Sequence, residues 1–245
     1  HNRRKFLSLT ALSAGAMTLS GSVFGKNANN NDSDYDLPKS IRDLQPAKEG
    51  IVPITIEERK QRIQNAQAMM GREKIDAIFL EGTTSCYYFT GMRWGQSERT
   101  FGLVIPAKGA IAYVCPKFEE DRARELLLPV FGDEVRCWEE HESPYAVIMG
   151  IVKDRGVKHR KIGMEERVRF FIADGVKKVA TGFEIVDATP ITAGCRMIKT
   201  KAELALMQKS SDITILAYQA AFPTIRDGMS QTEFSGNISA AFRKL

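Results

Sequence analysis

A cluster of charged and aromatic residues between glycines is the part of the sequence best suited to bind a ligand. The stretch 91–99 reads GMRWGQSER and contains Arg93, Trp94, Glu98 and Arg99. Glycine lets a backbone approach other groups closely, and a large aromatic side chain is costly on a loop unless it packs or contacts a ligand. Arginine can hold a carboxylate through two parallel hydrogen bonds. The stretch is therefore a candidate ligand-binding loop, with an ordinary solvated loop, in which Glu98 pairs with Arg99, as the alternative.

Other chemistries have weaker support. The histidines are His1, His141 and His159, which do not share ligand spacing, and neither an HExxH nor a paired-cysteine motif occurs. The run EEHE at 139–142 is interpreted as a solvated turn leading into Ser143. Motifs for a phosphate-binding loop or a nucleophile elbow are also absent from the sequence. We therefore assign no metal ligand and no catalytic residue.

Two short apolar strands hold the candidate loop. Residues 75–80 and 101–105 read IDAIFL and FGLVI, with an aromatic, polar loop between them, and 110–114 returns as the partner strand of a hairpin. Further strands are predicted at 135–138, 161–164 and 183–186, and helices at 118–128, from Ser143-Pro144, and at 168–179. Strands that alternate with helices, plus one hairpin, predict an α/β domain with a mixed sheet.

Capping boxes mark the start of three helices. Thr55 and Glu58 open a helix from Ile56 to about Met70. Two further boxes, at 200–203 and 230–233, open a long amphipathic helix and a last helix, with a domain boundary near Gly194. The apolar face of the first of these comprises Leu204, Met207, Ile213, Leu216 and Ala220, and that of the second comprises Phe234, Ile238 and Phe242. Little in this sequence can cover the second face.

The N-terminus has the pattern of an export signal. Residues 2–7 read NRRKFL, a twin-arginine pattern, and a weakly apolar run rich in small residues extends from there to Phe24. That run is too weakly hydrophobic for a stable membrane span. We predict a signal peptide at 1–25, a flexible linker at 26–52 and a periplasmic or secreted protein. An uncleaved anchor or a fortuitous basic start is the alternative.

The charge of the chain gives no support for nucleic-acid binding, and its cysteines do not fix a disulfide pattern. The formal charge is +5, and three of these positive charges lie in the first 25 residues, which leaves +2 and no support for nucleic-acid binding. The cysteines are Cys86, Cys115, Cys137 and Cys195. Disulfides are allowed in an exported protein, but sequence cannot give their connectivity. Cys86 and Cys115 lie in apolar segments, which favours buried, unpaired thiols.

Five segments along the chain carry a family resemblance. In order they read YYFTG, RWGQSERTFGLVIP, EERVRFF, VDATP and RMIKTKAELALMQKSSDIT. With these segments the chain resembles the Xaa-Pro aminopeptidases and dipeptidases of the creatinase/prolidase family over about residues 53–245. The resemblance implies an N-terminal domain at 53–195 with a ribonuclease H-like mixed sheet flanked by helices. The first helices of a truncated pita-bread α+β catalytic domain would come next, at 196–245.

The same resemblance implies the chemistry. Family members use two divalent metal ions (Mn, Zn or Co), whose ligands lie later than the part present here, so we expect this chain to bind none and to be inactive alone. In some members an arginine matching Arg99 reaches the active site of a partner subunit. The family's loop at this place also lies near the catalytic cleft, so we predict Arg99 as a substrate-binding residue, together with Trp94 because a large aromatic is costly on a loop unless it packs or contacts a ligand.

The expected whole protein is a homodimeric metallopeptidase that hydrolyses the bond before proline in a peptide substrate. It would bind no nucleic acid, and no membrane after signal cleavage. A non-peptidase hydrolase or lyase on the same fold is the first alternative. A dimerisation or binding module without its own catalysis is the second.

Overall fold

The structure is a computed structural model that describes residues 37–245. The predicted signal peptide at 1–25 lies outside these residues, as does the predicted linker up to residue 36. The described residues divide into two compact units, Ile51–Gln208 and a second unit made of 37–50 with Lys209–Leu245. The larger unit contains the sheet and the candidate loop.

One mixed sheet organises the larger unit. Its strands are β1 (Ala77–Glu81), β2 (Gly102–Pro106), β3 (Ala112–Pro116), β4 (Val135–Trp138), β5 (Lys161–Met164) and β6 (Glu184–Asp187). Their order across the sheet is β4-β3-β2-β1-β5-β6. The pairs β1/β2 and β2/β3 are antiparallel and the other three pairs are parallel. The predicted mixed α/β sheet and its hairpin are confirmed.

Helices come after most of the strands. They are α1 (Lys39–Arg42), α2 (Ile56–Glu73), α3 (Thr84–Thr90), α4 (Glu120–Leu126), α5 (Pro144–Asp154), α6 (Phe170–Val179), α7 (Thr189–Met197), α8 (Lys201–Ala221) and α9 (Gln231–Lys244). Short 3-10 turns occupy Lys117–Glu119, Pro129–Phe131 and Phe222–Thr224. Gly194, near which a domain boundary is predicted, lies inside α7, and the predicted domain limits stay a prediction.

Helices bury both faces of the sheet. Along β1, Ile78 and Leu80 belong to a first core cluster, which α2, α3, α4 and α7 cover. Ala77 and Phe79 belong to a second cluster, which α5 and α6 cover. All five residues of β1 are buried. Burying a side chain such as Phe79 stabilises a fold by about 1.5–3 kcal/mol, so the central strand is a fixed support for α3 and the candidate loop.

The predicted helix caps are confirmed. The Thr55 hydroxyl accepts from the Glu58 amide at 3.2 Å, and the Glu58 carboxylate accepts from the Thr55 amide at 2.9 Å. The same reciprocal pairs occur within 200–203 and 230–233. The Ser143 hydroxyl accepts from the Ala146 amide at 3.3 Å. Because a cap needs only groups three residues apart, sequence spacing alone finds it.

The interpretation of the whole stretch between β1 and β2 as a loop is wrong. Helix α3 occupies its first part and ends at Gly91, whose φ of 82° forms a left-handed C-cap. Its residues, TSCYYFT, are mostly aromatic, β-branched or hydroxylic and have modest helix propensity. Burial of Cys86 and Phe89 in the first core cluster overrides that preference.

The second unit packs through small side chains. Ile41 of α1 is fully buried in a cluster with alanines of α8 and α9, namely Ala217, Ala220, Ala240 and Ala241. The long apolar residues predicted on these two helices are more exposed, with 41% of Leu216 and 41% of Phe242 accessible. Leu204 and Met207, at the start of α8 in the larger unit, are also exposed. The helices are where the sequence predicts them, but alanines rather than these large residues form the packed face.

Candidate substrate-binding site

An open groove lies beside the chain that comes after β1. Its volume is about 530 Å³. The lining residues come from the start of α3 and the loop after it, namely Thr83, Thr84, Tyr87, Met92, Arg93, Trp94 and Gly95. The groove therefore combines hydroxyls, one guanidinium and aromatic surface, a set of groups that suits a small polar ligand with an apolar part.

Arginines hold Tyr87 at the edge of the groove. The guanidinium carbons of Arg59 and Arg93 each lie 5.0 Å from the centre of its ring. A hydrogen bond from Arg93 to the hydroxyl, at 3.5 Å, and the nearby Arg59 guanidinium lower the pKa of Tyr87. Arg59 also donates to the carbonyl oxygens of Tyr87 and Tyr88, which anchors α3 to α2. Arg93 makes no salt bridge within residues 37–245, so its charge faces the groove without a carboxylate partner.

Trp94 is mainly a packing residue. Its ring is stacked on Phe101, with ring centres 3.8 Å apart and planes 10° apart, and only 9% of the residue is exposed. The Arg122 guanidinium carbon lies 4.5 Å from the centre of the Trp94 ring. A Cβ at Gly82 would lie 3.0 Å from Trp94, so this glycine leaves the indole its space. Trp94 lines the groove with the part that remains exposed, and its predicted role in binding substrate stays a prediction.

Arg99 is engaged by carboxylates of its own chain. Its Nε donates to Glu140 at 2.6 Å and its Nη1 to Glu98. The guanidinium also lies 4.9 Å from the Phe118 ring centre. The hydrogen bond with Glu140 is the main cause that raises the pKa of Arg99. Unlike Trp94, Arg99 is not among the groove's lining residues, so the structure does not bring the two predicted binding residues together.

A buried ion pair fixes the loop between the groove and β2. Glu81, at the end of β1, is 1% exposed and accepts from the Arg169 side chain (Nε at 2.7 Å) and from the Arg169 backbone amide at 3.1 Å. Arg169 also donates to the carbonyl oxygens of Ser97 at 2.6 Å and Arg99 at 3.5 Å. Sequence reasoning did not select Arg169 or Glu81. A signal was present, because an acid that ends an otherwise apolar strand needs a partner.

A second buried carboxylate lies at the end of β5. Glu165 is 2% exposed, and the Thr83 hydroxyl lies 3.3 Å from its carboxylate. Burial is the main cause that raises the pKa of Glu165, and the charge of Glu166 adds to it. Its backbone amide donates to the Phe79 carbonyl at 3.2 Å. Glu165 thus links Thr83, the residue before α3, to the end of β5.

The residues present do not fit a two-metal centre. Within residues 37–245, no group of three or more His, Cys, Asp or Glu is placed to hold a metal ion. The run 139–142 forms a turn, in which the Glu139 amide and the Glu142 carboxylate are 2.8 Å apart. The backbone amide of His159 donates to Asp76, a structural contact. No chemical step is therefore assigned to a metal at these residues.

No helix between residues 37 and 245 combines the length and the apolar character that a membrane crossing requires.

The fold and the sequence together define the class of protein. Residues 62–198 match the creatinase/prolidase N-terminal domain family. The chain belongs to this family, and its six-stranded mixed sheet flanked by helices is the fold of that domain.

Among curated proteins, the chain is 32% identical over 203 residues to an uncharacterised peptidase of Schizosaccharomyces pombe, covering 78% of this chain and 44% of that protein. It is 21% identical over 180 residues to an uncharacterised peptidase of Staphylococcus aureus, covering 71% of this chain and 47% of that protein. The chain thus spans about half the length of the curated relatives it matches.

Solved structures share the fold. The dipeptidase PepE of Mycobacterium ulcerans superposes with a TM-score of 0.69 at 20% identity, covering 78% of this chain and 51% of that one. The prolidase of Thermococcus sibiricus superposes with a TM-score of 0.66 at 22% identity, covering 78% and 50%. At these identities the likeness concerns the fold alone.

Proposed function

We propose that this chain is the N-terminal part of an exported, metal-dependent Xaa-Pro peptidase that hydrolyses the bond before proline. The observation that carries the proposal is the family match over residues 62–198, together with a relative at 32% identity that is named a peptidase. The solved neighbours named as a dipeptidase and a prolidase agree with it. The role of these residues is to shape the substrate cleft and the interface of a homodimer. The two divalent metal ions belong to the catalytic domain, whose first helices are predicted at 196–245, and we assign none of their ligands to residues 37–245.

Arg93 is the groove residue best prepared to bind a substrate carboxylate. It lines the groove, carries a full charge and makes no salt bridge within the described chain. A cation–π contact with the Tyr87 ring and a hydrogen bond to the Tyr87 hydroxyl hold the guanidinium beside the groove. A carboxylate from a peptide terminus would gain a charge-assisted hydrogen bond without displacing a protein acid.

Arg99 can act as an anion clamp only if substrate replaces its present partners. Its pairs with Glu98 and Glu140 lie at the surface, where solvent screening keeps the value of such pairs for stability small. That small value makes exchange for a substrate carboxylate feasible. The clamp would act across the homodimer interface, which is consistent with the position of Arg99 outside the groove of its own chain.

The activity test uses the full-length protein with added Mn²⁺ and a matched pair of dipeptides, Xaa-Pro and Xaa-Ala. The proposal expects hydrolysis of Xaa-Pro and much slower hydrolysis of Xaa-Ala. Metal binding without hydrolysis of either peptide would contradict the proposal. Turnover of a non-peptide amide or amidine would then favour a hydrolase or lyase on the same fold, and no turnover at all would favour a binding module.

The role of Arg99 is tested by Arg99→Lys and Glu140→Gln in that enzyme. If Arg99 binds substrate, Arg99→Lys loses about 1–3 kcal/mol in kcat/KM with little loss of stability. Glu140→Gln then lowers KM, because a competing acid is gone. If the pair is only structural, both variants keep normal kinetics and lose at most a little stability. Arg226→Lys, at another exposed pair with Glu233, is the matched control.

Export is tested separately. Replacing Arg3 and Arg4 with lysine should retain the protein in the cytoplasm, since the twin-arginine pattern is the proposed signal. Cell fractionation measures the distribution. Unchanged delivery to the periplasm would contradict the proposed export route, but it would not contradict the proposed activity.

A further inference from the structure

Cys115 and Cys137 lie opposite each other on neighbouring strands. They are register partners in the parallel pair β3/β4. Both face the same side of the sheet, because Cys115 belongs to the first core cluster and Cys137 packs against that cluster. Neighbouring strands lie about 4.8 Å apart, and the Cα atoms of disulfides lie about 4.4–6.8 Å apart. The backbone separation is therefore already that of a cross-linked pair.

The unequal exposure of the two cysteines determines which thiol reacts first. Cys115 is fully buried, whereas Cys137 is partly exposed. A reagent in solution reaches Cys137 first, and Cys115 is its nearest cysteine across the strand pair. The sulfurs have separate partners in the structure: Cys86 lies 3.9 Å from the Thr90 hydroxyl, Cys195 lies 3.6 Å from a methionine sulfur, and Cys115 donates to the Pro116 carbonyl at 3.3 Å. Strand register, rather than a sulfur–sulfur contact, is what brings Cys115 and Cys137 together.

We propose that Cys115 and Cys137 form an oxidative cross-linking site at which a small disulfide, such as oxidised glutathione, joins β3 to β4. The Cys137 thiolate attacks one glutathione sulfur, the glutathione disulfide bond breaks, and a glutathione thiolate leaves and takes up a proton. The Cys115 thiolate, after losing its proton to solvent, then attacks the Cys137 sulfur and releases the second glutathione. Two protein thiols are oxidised and one glutathione disulfide is reduced to two thiols.

The surroundings of the two thiols make this reaction slow near neutral pH. Burial is the main cause that raises the pKa of Cys137 to about 11, with the Glu120 carboxylate next, while Lys117 and Arg124 act in the opposite direction. Burial, with a smaller effect of Cys137, raises the pKa of Cys115 to about 12. Because only the thiolate attacks, the reaction is best measured at about pH 9, where the thiolate fraction is larger.

The cross-link would fasten an edge of the sheet. Strand β4 is at the end of the strand order and pairs only with β3. A disulfide between them closes the chain from 115 to 137, which removes freedom from the unfolded state. For a chain of this size the expected gain is a rise in Tm on the order of 5 °C.

The test starts from the folded 245-residue chain in its fully reduced form, incubated with oxidised glutathione. Remaining thiols are alkylated, the chain is digested with trypsin, and the peptides are identified by mass spectrometry. The expected product is a Cys115–Cys137 peptide pair that has lost two hydrogens and separates on treatment with dithiothreitol. Absence of this pair, with glutathione remaining on Cys137 or with no reaction, overturns the proposal.

Variants and a denatured sample provide the controls. Cys86→Ser/Cys195→Ser should give the same cross-link and the same rise in Tm. Cys115→Ser should stop at a single glutathione on Cys137. In guanidinium chloride a mixture of pairs should form, in which chain statistics favour the shorter loops, including 115–137. The folded chain should therefore give a clearly higher proportion of the Cys115–Cys137 pair than the unfolded chain, and the same pattern from both would overturn the proposal.

Discussion

The ion pair between Arg169 and Glu81 gives the sharpest test of how the candidate loop is held. Arg169→Met removes the guanidinium but retains a side chain of similar length. The Glu81 carboxylate, 1% exposed, then retains only the backbone amide of residue 169 as a hydrogen-bond donor. The carbonyl oxygens of Ser97 and Arg99 lose donors in the same step. The substitution therefore leaves a buried charge and two backbone acceptors without their partner.

The expected loss is set by burial. Removing one partner of a buried ion pair costs about 3–5 kcal/mol. The Arg169 side chain is 30% exposed, so water can reach part of the site and the lower end applies. We expect Arg169→Met to lower the free energy of unfolding by about 3 kcal/mol. Urea unfolding of the chain, monitored by tryptophan fluorescence, measures this because Trp94 is part of the loop that Arg169 holds.

Two variants show whether the buried pair itself is responsible. Arg169→Met/Glu81→Leu removes both charges and should recover most of the loss, because apolar residues can replace a buried pair at little cost. Lys178→Met breaks an exposed i,i+4 pair with Asp174 and should leave the free energy of unfolding nearly unchanged, because solvent screens such a pair. A loss below about 1 kcal/mol for Arg169→Met, or a double variant no better than the single one, would refute the reasoning.

Three further predictions concern the rest of the larger unit. Glu203→Ala should lower the free energy of unfolding by about 3 kcal/mol in urea titrations, because it leaves the buried Arg62 guanidinium unpaired; a loss typical of exposed pairs would contradict this. Gly102→Ala should lower Tm in thermal unfolding, because a Cβ would lie 2.5 Å from the backbone oxygen of Leu80, and an unchanged Tm would contradict the packing described. Burial raises the pKa of Glu165, so between the usual glutamate pKa of 4.5 and its raised value this carboxyl holds more proton in the folded than in the unfolded chain, and its contribution to stability should be lost as pH rises through that window. Glu165→Gln should flatten that slope in unfolding measured at several pH values, and an equal slope would exclude Glu165 as its source.

Short-range patterns account for the parts of the fold that the sequence predicts. A capping box such as Thr55 with Glu58 involves groups three residues apart, and the hairpin of β2 and β3 depends on alternation and one turn. The sequence does not predict helix α3, because this helix is stabilised by the burial of Cys86 and Phe89 rather than by the helix propensity of its residues. The sequence also does not predict that α8 and α9 pack through alanines. Periodicity shows which residues share a helix face, but it does not show which face another element covers.

The candidate site was only partly predictable. The sequence indicates the loop that lines the groove, because charge and aromatic surface concentrate there. It does not indicate that Trp94 stacks on Phe101 or that Glu140, 41 residues away, binds Arg99. The buried ion pair between Arg169 and Glu81 joins residues 88 positions apart, and no local sequence pattern predicts such a pair. Partners that are distant in sequence determine which charged side chains remain free to bind a ligand. Such partners can be identified only from the folded structure.

The parallel arrangement of β1 and β5 explains why the groove can be ready to bind. Parallel strands end at the same edge of a sheet, and ligands of α/β domains bind beyond that edge. Here the acids at the two ends, Glu81 and Glu165, are both occupied in holding the chain, one by Arg169 and the other by the Thr83 hydroxyl. Neither buried carboxylate is then free to neutralise Arg93. A negatively charged ligand would meet a guanidinium that the contacts with Tyr87 already position, so its binding would require little rearrangement of the protein.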